Sequence, residues 1–241
     1  MRSASKNSIG ENNSIAKNII VTIDGPAASG KTSVSRLIAQ RYGWQWVSTG
    51  AFYRGLAYVA IHEGVATDDE EALANLCQSS IWRVQMDPEQ TLVYLHNRDV
   101  TSEIYREENG SAASQVSQFP KVRTNLLKAQ RQCAENVNGL VAEGRDCGTV
   151  VFPNAHVKLF VTARTHSRAE RRAFEQGKDV EETKQAQVKR DHQDSSRTVA
   201  PMQIPPNAQV IDTSDLNLDQ VVDQVDAIIR KQLAQQSLSP L

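Results

Sequence analysis

A glycine-containing loop near the amino terminus limits this chain to a small group of folds. The loop follows a β-branched apolar run over residues 19–23, which is typical of a strand buried on both faces of a parallel sheet. After the loop, Val34, Leu37 and Ile38 recur with helical spacing up to Gly43, a residue suited to end a helix. The sequence therefore predicts a strand, a loop and a helix in that order.

The loop has the pattern of a phosphate-binding site. It fits G-x-x-x-x-G-K-[ST] with the residues Gly25, Pro26, Ala27, Ala28, Ser29, Gly30, Lys31 and Thr32. Glycines let successive backbone N–H groups point at an anion, and the start of the following helix adds a positive dipole end. We expect Lys31 to reach the β- and γ-phosphates of a nucleotide and the Thr32 hydroxyl to bind Mg²⁺. The loop alone does not separate kinases from switches, ATPases or motors.

Four more short apolar runs alternate with helical stretches, which predicts a doubly wound α/β fold. These runs cover residues 44–47, 140–142, 157–161 and 209–211, and with residues 19–23 they make five candidate parallel strands. Apolar residues then recur at helical spacing from Leu218 to Leu233, as in an amphipathic helix. A predicted hairpin over residues 81–95 breaks the alternation, so we expect an insert there.

Composition bounds the class of protein. The 27 Lys and Arg residues balance 28 Asp and Glu residues, which argues against a bulk nucleic-acid binder. The sequence has no apolar run of about 18 residues and no signal-peptide pattern, so we expect a cytoplasmic protein that binds no membrane. We also expect a monomer. Its three cysteines lack the spacing of a zinc site or a disulfide framework. Residues 1–17 are polar and predict a disordered tail before one domain over residues 18–241.

Arginines near the ends of predicted strands indicate a second site for phosphate. Arg54 follows the second strand, and Arg145 and Asp146 follow the run at 140–142. Loops at the carboxyl ends of parallel strands line the crevice of such sheets. Together with Arg123, these side chains are therefore expected to converge on one site.

A charged segment over residues 164–198 has two interpretations. Its basic and acidic residues are nearly balanced, as in a solvated helical hairpin held by i,i+4 pairs. It is also suited to a mobile lid that brings arginines over the transferred phosphate and excludes water. We favour the lid, in which Arg190, Asp194 and Arg197 share one helix face.

The chain resembles the bacterial cytidylate kinases, a family of nucleoside monophosphate kinases with a phosphate-binding loop. The resemblance covers the chain from residue 19 to the final helix, and residues 144–153 are its most specific part. The other positions that carry it are residues 22–26, 30–32, 49–51, 53–54, 112–116, 122–123, 190–191, 194–195, 197 and 200–201.

This resemblance implies transfer of the γ-phosphoryl group of ATP to CMP or dCMP, with Mg²⁺, giving ADP and CDP or dCDP. It implies a three-layer α/β/α core with a five-stranded parallel sheet. It also implies an inserted region that binds the nucleoside monophosphate, at about residues 79–105, and a short helical lid at about residues 164–198.

The resemblance also implies how a cytosine base is recognised. Ser114 and Asp146 are implied at its amino edge and Arg123 at its N3 and O2 edge. These residue types are complementary to cytosine, because N4 donates a hydrogen bond whereas N3 and O2 accept. Uracil presents an acceptor where cytosine presents the amino group, so it is expected to be a poor substrate.

The remaining acceptor contacts are implied in the same way. Arg54 and Arg145 are implied at the acceptor phosphate, with Thr49 nearby, and Arg190 and Asp194 at the sugar. These are contacts to the bound nucleotide and involve no covalent chemistry.

Catalysis is expected to depend on alignment and charge. Lys31, Arg145 and Arg197 are implied as the catalytic cations around the moving phosphoryl group. Thr32 is expected to bind Mg²⁺ directly, and Asp24 through a water molecule. No strong general base is required, because the attacking atom is an oxygen of an ionised phosphate.

Two positions depart from the family pattern. Ser48 stands where the family usually has an aspartate, and Tyr105 where it usually has an arginine. Alternatives therefore stay open at this point: a kinase for UMP, AMP or shikimate, or a nucleotide-dependent switch. The sequence has no guanine-reading Asn-Lys-x-Asp motif, which disfavours a GTPase switch.

Overall fold

A parallel β-sheet of five strands forms the centre of the protein in a computed structural model, which describes residues 18–239. The strands are β1 (Ile19–Asp24), β2 (Gln45–Ser48), β6 (Gly139–Gly144), β7 (Val157–Thr162) and β8 (Gln209–Asp212). Their order across the sheet is β2-β6-β1-β7-β8, and every neighbouring pair is parallel. The five predicted strands are therefore confirmed, whereas the predicted tail at residues 1–17 lies outside the described residues.

Helices cover both faces of this sheet. The helices between residues 18 and 239 are α1 (Lys31–Tyr42), α2 (Gly50–His62), α3 (Glu70–Cys77), α4 (Thr101–Ile104), α5 (Glu107–Val116), α6 (Pro120–Gln132), α7 (Thr165–Gln176), α8 (Val180–Ser196) and α9 (Leu218–Gln235). Within β6, Leu140 and Ala142 pack into the core under α2 and α6, while Val141 packs into the core under α1 and α9. Both faces are buried, which explains the continuous apolar runs and confirms the α/β fold class. None of the helices within residues 18–239 is long and apolar enough to cross a membrane.

The two predicted amphipathic helices are present. Helix α1 buries Val34 and Ile38 and ends at Gly43, which adopts the left-handed conformation with φ 64°. Helix α9 begins with a capping box between Asn217 and Gln220. Leu218, which the apolar pattern included, is exposed. The buried residues of α9 are Val221, Val222, Val225, Ile229 and Leu233.

The predicted hairpin forms a small antiparallel sheet beside α2. It contains β3 (Trp82–Gln85), β4 (Leu92–Leu95) and a short β5 (Arg98–Asp99). Trp82 and Val93 lie so close to Gly55 of α2 that a Cβ atom there would be 3.0 Å and 3.1 Å from them. This packing anchors the insert on the helix that carries Arg54.

Residues 164–198 form a helical hairpin, α7 and α8, that is attached to the core. Arg168 pairs with Asp191 at 2.7 Å and donates to the carbonyl of Ala27 in the glycine loop at 3.1 Å. Arg171 donates to the carbonyl of Thr213 after β8. Movement of this segment as a lid stays a prediction.

Candidate active site

The glycine loop connects β1 to α1 with an unusual backbone. Gly25 has φ 149°, and a Cβ atom there would lie 2.0 Å from the carbonyl oxygen of Val161, so only glycine fits. Ala28 and Gly30 have φ 56° and 85°. Lys31 begins α1 and its Nζ donates to the Pro26 carbonyl at 3.0 Å. Burial and the charge of Arg145 lower the pKa of Lys31 to about 7.

Glu143 lies beside the loop and was given no role by the sequence analysis. It is buried in β6, and its Oε1 accepts a hydrogen bond from the Thr32 hydroxyl at 3.2 Å. Its Oε2 is 3.9 Å from Lys31 Nζ. Hydroxyl and carboxylate oxygens beside a phosphate site are the donor set that Mg²⁺ prefers, so these residues fit the implied metal. The sequence did carry a signal for Glu143: it is an acidic residue near the end of β6, the strand that pairs with β1.

Asp24, at the end of β1, faces a different partner. Its two carboxylate oxygens accept the backbone N–H groups of Cys147 at 2.8 Å and Gly148 at 2.7 Å. These residues start a π-helical turn, Cys147–Val151, directly after Asp146. Burial raises the pKa of Asp24 to about 7, against the effect of these hydrogen bonds. Asp24 therefore holds the segment that follows Asp146, and its predicted contact with the metal through water stays a prediction.

The predicted base-reading residues come together at one side of the cleft. The Arg123 guanidinium donates to the Asp146 carboxylate, and both side chains are buried. Arg123 also donates to the carbonyl of Ser117 at 3.0 Å and lies 5.2 Å from the ring of Tyr53. Arg197 donates to the hydroxyl of the same Ser117 at 3.3 Å. Arg197, implied at the phosphates, therefore also contacts the base-reading side of the cleft.

Arg145 connects the glycine loop to α8. Its Nε donates to Asp194 at 2.7 Å and its Nη1 to the Gly25 carbonyl at 2.9 Å. Although burial opposes ionisation, Arg145 holds the pKa of the Asp194 carboxyl below its usual range. The carboxylate that is predicted to bind the sugar is thus ionised, and Arg145 joins it to the glycine loop. Thr49 is buried, and its hydroxyl donates to the carbonyl of Glu143 at 3.0 Å.

Arg54 and Arg190 converge without a carboxylate between them. A Cβ atom on Gly110 of α5 would be 3.5 Å from Nη2 of Arg54 and from Nη1 of Arg190. Neither arginine forms an ion pair with any residue in the described range 18–239. Burial, followed by the charge of Arg190, lowers the pKa of Arg54 to about 10, which leaves it charged at neutral pH. Two uncompensated guanidinium groups at one point form a binding site for an anion.

These groups surround one cleft of about 400 Å³, a size suited to small ligands. The predicted residues that line it are Ala27, Ala28, Gly30, Lys31, Thr32, Thr49, Arg54, Ser114, Arg145, Asp146, Arg190, Asp194 and Arg197. Five others support this lining from behind or beside it: Asp24, Gly25, Pro26, Ser29 and Arg123. Further residues line the cleft for which the sequence predicted no cleft role, among them Tyr53, Tyr105, Ser117, Glu143, Arg172 and Glu175. Tyr105 was noted only as a departure from the family pattern.

Arg172 shows why such residues were missed. It lines the cleft and pairs with Glu107 at 2.7 Å, joining α7 to α5 across the opening. Arg164, Arg168 and Arg171 belong to the same segment but donate to Asp215, Ala27 and Thr213, respectively. Only the contact of α7 with Glu107 of α5 distinguishes Arg172 from these neighbours.

Comparisons with known proteins agree on one family. A family model described as cytidylate kinase matches residues 21–231. A cytidylate kinase from Bdellovibrio bacteriovorus is 54% identical over 215 residues, which cover 89% of this chain and 99% of that protein. Another, from a Geobacillus species, is 40% identical over 221 residues, which cover 90% of this chain and 98% of that protein. The solved structure of an uncharacterized protein from Eubacterium ventriosum covers 88% of this chain and 98% of its own, with a TM-score of 0.50 and 13% identity, a likeness of fold alone.

Proposed function

Because the chain belongs to the cytidylate kinase family, we propose that it transfers the γ-phosphoryl group of ATP to CMP or dCMP. The products are ADP and CDP or dCDP. The observation that carries this proposal is the buried pair of Arg123 and Asp146 beside a cleft that also contains the glycine loop. The cleft thus combines groups complementary to cytosine with groups that bind a nucleoside triphosphate.

Recognition of the base rests on hydrogen-bond direction. Asp146 and Ser114 accept from the N4 amino group, and Arg123 donates to N3 and O2. In UMP, the O4 acceptor would face the Asp146 carboxylate, leaving both without a donor. A site built to bond a substrate group discriminates strongly against an analogue that lacks it.

The acceptor phosphate is held by Arg54 and Arg190, which form no ion pair within residues 18–239, and by Arg145, which pairs with Asp194. Arg54 and Arg190 bind it where they converge, and Arg145 links it to the glycine loop. An oxygen of this phosphate attacks the γ-phosphorus as the bond to the ADP oxygen breaks. The chain contributes alignment and positive charge, from Lys31, Arg145 and Arg197, and needs no general base.

Thr32 and Glu143 are the residues that would hold Mg²⁺, together with phosphate oxygens of the nucleotide and water. When bound, the ion neutralises charge on the β- and γ-phosphates. Lys31 lies on the other side of Glu143 and supplies a cation to the same phosphates. The lid at residues 164–198, the monomeric state, the cytoplasmic location and the absence of nucleic-acid binding stay predictions.

The experiment that tests this function is release of ADP from Mg-ATP by the purified protein with different acceptors. We expect CMP and dCMP to accelerate release strongly over the rate without an acceptor, and UMP, AMP and shikimate to have little effect. If another acceptor is preferred, the roles given to Ser114, Arg123 and Asp146 are wrong. If hydrolysis is independent of every acceptor, the kinase proposal itself fails in favour of a nucleotide-dependent switch.

A further inference from the structure

Arg54 is held in the cleft differently from most arginines around it. Arg145 and Arg172 form ion pairs at 2.7 Å with carboxylates of Asp194 and Glu107. Arg54 forms no ion pair with any residue from 18 to 239, yet its side chain is largely enclosed. Its orientation must therefore come from neutral partners.

Those neutral partners belong to one short segment, which we call the Arg54 seat: Ile104, Tyr105 and Asn109. Arg54 Nη1 donates to the Ile104 carbonyl at 3.0 Å, and the Arg54 Cζ lies 5.5 Å from the centre of the Tyr105 ring. Asn109 Nδ2 donates to the carbonyls of both Ile104 and Arg54 at 2.9 Å. The seat thus fixes the backbone and one edge of the guanidinium and covers it with an aromatic ring.

The choice of neutral partners has a physical consequence. A carboxylate would fix a guanidinium equally well, but it would cancel the charge that an incoming phosphate needs. A carbonyl and an aromatic face orient the group and leave its charge available. Tyr105 is 39% exposed, and its partial desolvation, with the nearby charge of Glu143, raises the pKa of its hydroxyl, which is therefore neutral at physiological pH. The hydroxyl lies near Ser48 at the end of β2.

We propose that Tyr105 is a positioning residue that aims Arg54 at the phosphate of the acceptor nucleotide. The inference rests on the proposed function, because it requires that the acceptor carry a phosphate at Arg54. It also brings together the two positions that depart from the family pattern, Ser48 and Tyr105, since both side chains line the cleft and lie near each other.

The test measures steady-state kinetics of the full chain with Tyr105→Ala. Loss of a contact between a cation and an aromatic ring at a partly exposed site corresponds to a change of about fivefold. We therefore expect the KM for CMP to rise about fivefold, with kcat and the KM for ATP changed less than twofold. Inhibition by cytidine, which has the base and sugar but no phosphate, is expected to stay within twofold of the parent. A role in general folding would weaken cytidine and CMP together.

Two substitutions act as matched controls. Tyr105→Phe keeps the ring and is expected to restore the KM for CMP to within twofold of the parent. Tyr94→Ala removes a tyrosine that covers Arg83 at 4.2 Å in the same inserted sheet but outside the cleft, and is expected to leave every constant unchanged. Thermal unfolding of each variant verifies that it is folded.

A double-mutant cycle tests whether Tyr105 acts through Arg54. In an Arg54→Met background, adding Tyr105→Ala should change the KM for CMP less than twofold. A full fivefold effect in that background, or equal weakening of cytidine and CMP, overturns the inference. An unchanged KM in Tyr105→Ala overturns it as well. If the parent protein does not use CMP at all, the proposed function fails instead, so the two failures are distinguishable.

Discussion

The two phosphate sites that we propose in the cleft, for the donor and for the acceptor nucleotide, are built in different ways. At the donor site, the anion-binding groups belong to one continuous loop and the first turn of α1, with Lys31 and Thr32 next to each other in the chain. At the acceptor site they are arginine side chains from separate elements: Arg54 from α2, Arg145 after β6 and Arg190 from α8. Local backbone geometry sets the first site, whereas tertiary packing sets the second.

This difference separates two properties of the enzyme. A loop of backbone N–H groups binds phosphate without reading a base, so the donor site governs rate and affinity for the triphosphate. Side chains gathered from several elements can match a particular base, so the acceptor site governs which monophosphate reacts. Substitutions at the two sites should therefore give different kinetic patterns.

The largest expected effect is that of a substitution at the proposed donor site. Lys31→Met removes the buried cation beside Glu143, and we expect kcat to fall about 10³-fold, since loss of one preorganised charge at a transition state has costs of this order. The KM for CMP should change less than threefold in the same assay. Lys158→Met, on β7 outside the cleft, is the control and should be active. A rise in the KM for CMP as large as the loss of kcat would show that the two sites are not separable.

The second effect breaks the acceptor site. Asp146→Asn removes the charge that pairs with Arg123 in a buried position, where loss of one partner is costly. We expect kcat/KM for CMP to fall about 100-fold and the preference for CMP over UMP to shrink, with the KM for ATP within threefold. Asp226→Asn, in an ion pair with Arg230 on α9, controls for general loss of stability. An unchanged ratio of kcat/KM for CMP to that for UMP would contradict the proposed contact between Asp146 and the cytosine base.

The same contrast explains what could be predicted from sequence. The fold followed from periodicity, because strands buried on both faces read as apolar runs and helices such as α1 and α9 show a 3.6-residue pattern. The glycine loop was predicted residue by residue, since its groups are contiguous. Glu143 and Tyr105 were missed as site residues because their roles depend on strand register and on packing between distant segments.

Asp24 is an intermediate case. From the sequence, Asp24 is expected to contact Mg²⁺ through water, and that contact stays a prediction. In the structure both of its carboxylate oxygens also accept hydrogen bonds from the backbone after Asp146, a contact that depends on the pairing of β1 with β6. Asp24, the last residue of β1 before the glycine loop, thereby supports the side of the cleft that contains Asp146.

Substitution of Asp24 sharpens this point. Asn in place of Asp24 leaves one amide, of Cys147 or Gly148, without an acceptor, and a charge-assisted bond of this kind is worth about 1.5–3 kcal/mol. We expect the KM for CMP to rise about tenfold and the KM for ATP less than threefold. Thr22→Val is the control, because the Thr22 hydroxyl lies near the same turn and has no hydrogen-bond partner among residues 18–239. A larger effect on ATP than on CMP would place Asp24 with the donor site.

The smallest effect concerns the contact that joins the two sides of the cleft. Hydrogen bonds from Arg172 and Gln176 outweigh partial burial and lower the pKa of Glu107 to about 2, from a usual value near 4.5. The unfolded chain binds this proton more readily, so the stabilisation is full above about pH 4.5 and is lost as pH falls toward 2. Because Glu107 is partly exposed, we expect Glu107→Gln to lower the free energy of unfolding at pH 7 by less than about 1 kcal/mol.

Urea unfolding of the parent and of Glu107→Gln at pH 7 and at pH 3 measures this difference. The gap between the two proteins should be smaller at pH 3, because the unfolded parent then gains stability by protonating Glu107, while the folded parent keeps it mostly ionised in its pair with Arg172. Glu108→Gln, on the exposed side of the same helix and without an ion pair in the described part of the chain, should show no gap at either pH. If the difference in free energy of unfolding between the parent and Glu107→Gln were larger at pH 3 than at pH 7, an ionised Glu107 would be excluded as the bridge between α5 and α7. The hydrogen bond from Arg197 to Ser117 would then remain as a polar contact between these two sides of the cleft.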